Sequence, residues 1–319
     1  MIADTLTSPV ILFFVLGFLA ALIRSDLSIP EAFGKAMSIY LMAAIGLKGG
    51  IEVADAGFTN ELMVAALAGI GLSFMLPLPA YFLLRKLGKL SAIDAGAVSA
   101  HYGSVSVVTF VTAQEIFTDN GLGPAGYMVA VMALMETPAI ISGLLLARRG
   151  MSDDAGQRNT GKMLHEVFSN GSVVLLIGAF IIGIVIGKDG FEPVSPLFKI
   201  GFTGVLCLFL LDMGLVAARR LIQSRKLTVP LIFIGLLLPI VNGTIGTVLG
   251  VFIGLDAGSA AILGVLAASA SYIAVPAAMR LAVPEADPGV YLSMSLGITF
   301  PFNIIIGISL FAAIAQAMI

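Results

Sequence analysis

Charge is scarce in this chain: Asp, Glu, Lys and Arg make up 11% of its 319 residues, where a soluble domain carries roughly 25%. Hydrophobic residues reach 59% and the mean hydropathy is +1.06, which excludes an ordinary soluble fold. The net charge of -2 gives nucleic acid and other polyanions nothing to grip. Cysteine is almost missing as well. Cys207 stands alone inside an apolar run, so neither a disulfide framework nor a cysteine metal site can form, and it reads as a small buried hydrophobe. Only His101 and His165 supply imidazole. No basic region precedes the first apolar run, so no cleavable signal is expected. The absence of a phosphate-binding loop argues against ATP-driven pumping. His101 and Ser104 are three apart, but no third partner supports nucleophilic catalysis. The chain is not expected to be an enzyme.

What is present is a series of apolar runs of about 20 residues, the mark of a polytopic membrane protein. About ten spans are predicted, near 9–23, 33–48, 62–84, 94–116, 126–147, 170–187, 197–216, 228–254, 257–279 and 289–316, with ends uncertain by roughly 2–4 residues. Basic residues fall in alternate connections: Arg24; Arg85, Lys86 and Lys89; Arg148, Arg149, Arg158 and Lys162; Arg219, Arg220, Arg225 and Lys226; then Arg280. The other connections hold little beyond Lys48 and Lys188. Short basic loops stay in the cytoplasm, so both termini are expected outside an inner (plasma) membrane.

The polar stretch RRGMSDDAGQRNTGKMLHE divides the chain. It suggests a first repeat at 1–148, a cytoplasmic linker at 149–168 and a second repeat at 169–319. Ser8 and Ser172, Arg24 and Lys188, Lys35 and Lys199, Lys48 and Asp212, Gly50 and Gly214, and Tyr127 and Tyr291 share one spacing in order along the chain. Five spans per half, an odd number, would make the second half enter from the opposite side, as an inverted repeat.

Two spans carry polar residues at their centres. DAGAVSAHYGSVSVVTFVTAQE begins at Asp94 and DAGSAAILGVLAASASYIAVPAAMR at Asp256. Breaks are predicted at Gly103, Ser104, Val105 and Ser106, and at Ser269, Ala270, Ser271 and Tyr272. Each break would present a half-helix start, with free N–H groups and a positive dipole end, to an anion. Gly103 would admit a ligand to the backbone, and Pro276 suits the first turn of a resumed helix. The competing reading is that Gly, Ala and Ser simply let membrane helices pack closely; the pairing of the segments favours a site. Glu136, before Thr137 and Pro138, is the deepest carboxylate. It could bind a cation, carry a proton or tie two helices together. Thr109, Thr299 and Asn303 offer oxygens suited to Na⁺. His101 reads as a hydrogen-bonded packing residue, and Asp212 as an ion-paired or water-facing one.

These residues resemble the sodium-dependent bicarbonate transporter family first associated with cyanobacterial carbon concentration. The resemblance is carried by His101 to Phe110, Met135 to Ile140, Leu266 to Ala286 and Leu296 to Asn303, and it extends over essentially the whole chain. It implies a Na⁺/HCO₃⁻ symporter of ten helices in inverted repeats, with an elevator-type core domain (third to fifth and eighth to tenth spans) and a gate domain from the rest. It also implies a homotrimer in membrane lipid and no cofactor beyond Na⁺ as coupling ion. A PII-like regulatory partner is a further implication, although the central connection looks shorter than in cyanobacterial members. The alternatives are a proton-coupled organic-anion carrier working through Glu136, and a passive anion channel or membrane receptor.

Overall fold

A computed structural model describes residues 7–57, 59–150, 171–223 and 227–319. Arg158, Lys162, Arg225 and Lys226 of the orientation argument lie outside the described residues, as do His165 and most of the central connection. The described chain is all-helical. That is the form in which a lone segment satisfies its own backbone groups in hydrocarbon.

The main helices among the described residues are, in order, α1 (Pro9–Leu22), α2 (Glu31–Ala56), α3 (Asn60–Met75), α4 (Pro77–Lys86), α5 (Ala92–Gly103), α6 (Val107–Asp119) and α7 (Met128–Ala147). They continue with α8 (Gly171–Phe191), α9 (Phe202–Gln223), α10 (Val229–Phe252), α11 (Ala257–Ala268), α12 (Ala274–Ala282) and α13 (Pro288–Met318). Their starts follow local chemistry. Ser8, Thr59, Ser91, Asp256 and Asp287 each accept a first-turn amide, satisfying donors that a helix start leaves free.

Among the described residues, six helical stretches are long and apolar enough to cross a membrane: Glu31–Asp55, Asn60–Lys86, Met128–Ala147, Val174–Val194, Val229–Phe252 and Pro288–Met318. Pro9–Leu22 and Ala257–Ala268 are apolar but shorter. At 12 residues each, α5 and α11 reach about 18 Å, little over half of a ~30 Å hydrocarbon core.

Several expected limits are corrected. The second span continues past Lys48 to Ala56, because the ammonium of Lys48 sits 4.2 Å from the centre of the Phe202 ring, a favourable place for a cation. The third is two helices that meet at Leu76 and Pro77, since proline cannot continue a hydrogen-bond ladder. The tenth contains π-helical turns at Ser293–Thr299 and Asn303–Gly307.

α1 packs along α9 and α2 along α8. Both pairs are close because glycines face backbone: Gly17 meets Leu211, Gly214 meets Phe14, Gly50 meets Phe180 and Gly183 meets Leu47. Membrane helices approach this closely only through small residues. A second set joins α3 and α5 to α7, and α10 and α13 to α11. The two sets meet where α9 lies on α13, with Phe14 edge-on to Phe300 at 5.5 Å. The broken helices lie inside the second set.

Candidate functional site

The polar clusters interrupt their helices where small and hydroxyl-bearing residues replace bulky ones. α5 ends at Gly103, Ser104 and Ser106 turn extended, and α6 resumes at Val107. α11 ends at Ala268, Ser269 turns extended, and α12 resumes at Ala274. Pro276 is buried in the first turn of α12, where its missing N–H costs nothing.

The breaks hold each other. The Ser271 amide donates to the His101 carbonyl at 3.0 Å, and His101 Nδ1 donates in return to the Ser271 carbonyl. The Ser106 amide donates to Ser269 Oγ at 3.0 Å. Backbone freed by each interruption is thus satisfied by the other, as an irregular segment buried in protein requires.

Beside this crossing lies a small pocket lined by Val105, Ser106, Val107, Glu136, Ser271, Tyr272 and Ile273. It leaves about 10 Å³ for the centre of a water-sized sphere, room for one water or small ion. Ser106 Oγ caps α6, accepting from the Thr109 amide at 3.2 Å and from the Thr109 hydroxyl at 2.9 Å. Ser271 Oγ accepts from the Val275 amide at 3.5 Å at the start of α12. Each of these serines keeps its own proton to donate. Two helix starts therefore converge on the pocket, each with a positive dipole end. Glu136 brings the opposite sign, and its carboxylate has no charged or hydrogen-bonding partner among the described residues.

The expected site residues divide by what they touch. Val105, Ser106, Glu136, Ser271 and Tyr272 line the pocket, and Thr109 adjoins it through Ser106. The Tyr272 hydroxyl lies near Ser106 without a hydrogen bond of good geometry. Ser104 and Ser269 have spent their protons on carbonyls, those of Glu136 at 3.2 Å and Leu266 at 2.8 Å. Gly103 does not open to a ligand: a Cβ there would collide with Pro77 and Ala139. Ala270 is buried in an apolar cluster with Val275 and Met279. Thr299 donates to the Gly235 carbonyl at 2.7 Å and receives the Tyr102 hydroxyl at 2.7 Å, so its oxygen is committed. Asn303 donates to the Ala268 carbonyl at 2.9 Å, closing the end of α11, while its own carbonyl oxygen is buried without a partner.

His101 is fully buried and its ring stacks on Tyr291 at 4.7 Å, consistent with packing. Asp212 abuts Gly34 and lies near Arg219. Val107 and Ile273 are pocket residues that polarity could not flag, since both are aliphatic. Among the described residues, no cluster of three or more His, Cys, Asp or Glu forms a metal site.

A family model described as the Na⁺-dependent bicarbonate transporter superfamily matches residues 9–316. No curated protein matches the chain.

Proposed function

The chain belongs to the Na⁺-dependent bicarbonate transporter superfamily, and from that membership we propose that it is a secondary active Na⁺/HCO₃⁻ symporter. The anion binds at the pocket between the starts of α6 and α12, with Ser106 and Ser271 as hydroxyl donors. The observation that carries this reading is the meeting of two helix starts, one of them capped by Ser106, with the Glu136 carboxylate in one small pocket. Helix starts favour an anion, but an ionised Glu136 repels one. A Na⁺ held by Glu136 removes the repulsion, so each ion makes the other's entry less costly. Neither bears desolvation well alone.

The same reading extends to architecture. We take the chain as ten membrane-crossing segments in two inverted repeats, 1–148 and 169–319. α1, α2, α8 and α9 form the gate, and the second set forms a core that carries the site across the membrane. Two contacts at corresponding places support this. Asp94, at the start of α5, accepts the Asp287 amide before α13 at 2.9 Å. Ser259, at the start of α11, accepts the Ala125 amide before α7 at 3.0 Å. Each broken helix is thereby tied to the last helix of the opposite half. We extend the proposal to outward-facing termini in the inner membrane and to a homotrimer, with a PII-like protein as cytoplasmic partner. The apolar residues that α8 exposes, Val174, Ile181, Ile182 and Val185 among them, suit lipid or a neighbouring subunit.

The test is uptake of radiolabelled bicarbonate into proteoliposomes. Accumulation driven by an inward Na⁺ gradient is expected. Uptake that follows a proton gradient instead would assign Glu136 to proton coupling. Equilibration without any gradient dependence would identify a channel.

A further inference from the structure

α7 carries Pro138 in its interior. Proline offers no N–H, so the Leu134 carbonyl loses its ladder donor and the ring presses on it. In an α-helix the adjoining rung pairs the Met135 carbonyl with the Ala139 amide. Ser73 of α3, fully buried, serves both of those groups. Its hydroxyl donates to the Met135 carbonyl and accepts from the Ala139 amide at 3.1 Å. Close approach of the helices is possible because Gly69, one turn earlier, faces Val131 and Met135. A turn further along, Ser142 donates to the Phe74 carbonyl at 3.0 Å, which fixes the register of α3 on α7. The side chain that projects from this held turn into the pocket is Glu136.

We propose that Ser73 is a positioning residue for Glu136: by bridging the rung beside Pro138 it sets the rotation of α7 that aims the carboxylate at the two helix starts. The inference rests on Glu136 being the group that feels the coupling cation. Without the Ser73 hydroxyl, the Met135 carbonyl and Ala139 amide can only close on each other. The turn tightens and the carboxylate swings from its place. Bicarbonate contacts made by α6 and α12 are left alone, so the two ions should respond differently.

The experiment measures Na⁺ and bicarbonate half-saturation and maximal rate in proteoliposomes for the parent, Ser73→Ala, Ser73→Cys and Glu136→Gln. Ser73→Ala is expected to raise the Na⁺ half-saturation concentration by about 3- to 10-fold, the range of one net hydrogen bond. Bicarbonate half-saturation at saturating Na⁺ should stay near the parental value. Ser73→Cys, with a weaker donor of similar size, should fall between the two, and it keeps the comparison usable if the alanine variant inserts poorly. Pro138→Ala is combined with Ser73→Ala as a further arm. Because both changes act on the same turn, their effects on Na⁺ should be less than additive. Additive effects, a parental Na⁺ dependence in both Ser73 variants, or equal shifts for both ions would overturn the inference. A parental Na⁺ dependence in Glu136→Gln would overturn the cation reading of Glu136 and the role of Ser73 together. Loss of Na⁺ dependence in Glu136→Gln with parental Ser73 variants would overturn the role of Ser73 alone.

Discussion

His101 and Ser271, from opposite halves of the chain, are joined twice: the Ser271 amide donates to the His101 carbonyl at 3.0 Å, and the His101 ring donates from Nδ1 to the Ser271 carbonyl. A carbonyl accepts only, so Nδ1 carries a proton in this contact. The imidazole therefore holds Ser271, and with it the first turn of α12, in place.

The pairing makes His101 sensitive to the position of its donor more than to its charge. His101→Asn keeps an N–H near the Nδ1 position, whereas His101→Ala strands the Ser271 carbonyl in the interior. A stranded buried group costs about 1–3 kcal/mol. We expect thermal unfolding of the purified protein to fall in the order parent, Asn, Ala, with uptake following. An alanine variant as stable and active as the parent would remove this role.

Gly103 gives a second prediction, about folding. A methyl there would meet Pro77 and Ala139, and neither can retreat by rotating a long side chain. Overpacking of this kind costs about 1–3 kcal/mol. Gly103→Ala should lower the yield of folded protein and its melting temperature, and Ala139→Gly should partly restore both. A stable Gly103→Ala protein with weakened bicarbonate affinity would instead return Gly103 to the ligand.

How much of this was legible in the sequence depends on range. The interruptions in α5–α6 and α11–α12 were, because Gly, Ser and Pro interrupt apolar runs where an unbroken helix needs none. The all-helical character followed from composition. The length of α2 did not, since Lys48 marks an end by charge alone, and the groups that accommodate it half-buried include the Phe202 ring and Glu115, both distant in sequence. The π-helical turns of α13 leave no pattern of periodicity to read. Ser269 and Ser271 show the limit most clearly. Two residues apart and chemically identical, one is spent on the Leu266 carbonyl and the other faces the pocket. Ser269 turns back on the last turn of α11, whereas Ser271 lies beyond it, where its amide is held by the His101 carbonyl of the crossing segment.

Orientation is open to a direct chemical test. Asn120 and Lys89 are both exposed, at opposite ends of the α5–α6 pair, and the basic loop at 85–89 argues that Lys89 is cytoplasmic. The one native thiol, Cys207, is buried and should stay silent. A membrane-impermeant maleimide applied to intact cells should label Asn120→Cys and spare Lys89→Cys until the membrane is opened. The reverse pattern would invert the topology and the direction assigned to transport.

The pocket serines provide the most discriminating comparison, because the structure separates residues that composition treats alike. Ser106 caps α6, Ser271 lies 3.5 Å from the Val275 amide of α12, and each keeps a proton to donate, whereas Ser269 has none to spare. Replacing Ser271 by alanine removes a donor to the anion and only a long 3.5 Å cap. Bicarbonate affinity should fall by roughly 10- to 150-fold, the range of a hydrogen bond to a charged group, with little loss of stability. Ser106→Ala should show the same fall in affinity, accompanied by about 1 kcal/mol of lost capping. Ser269→Ala should do the opposite. The Ser106 amide loses its partner, so melting temperature drops, while the folded fraction keeps near-parental affinity. The three variants are read by bicarbonate half-saturation in proteoliposomes beside thermal unfolding of the same preparations. If affinity falls most for Ser269→Ala and is unchanged for the other two, the small-residue packing explanation of these segments holds and the anion binds elsewhere.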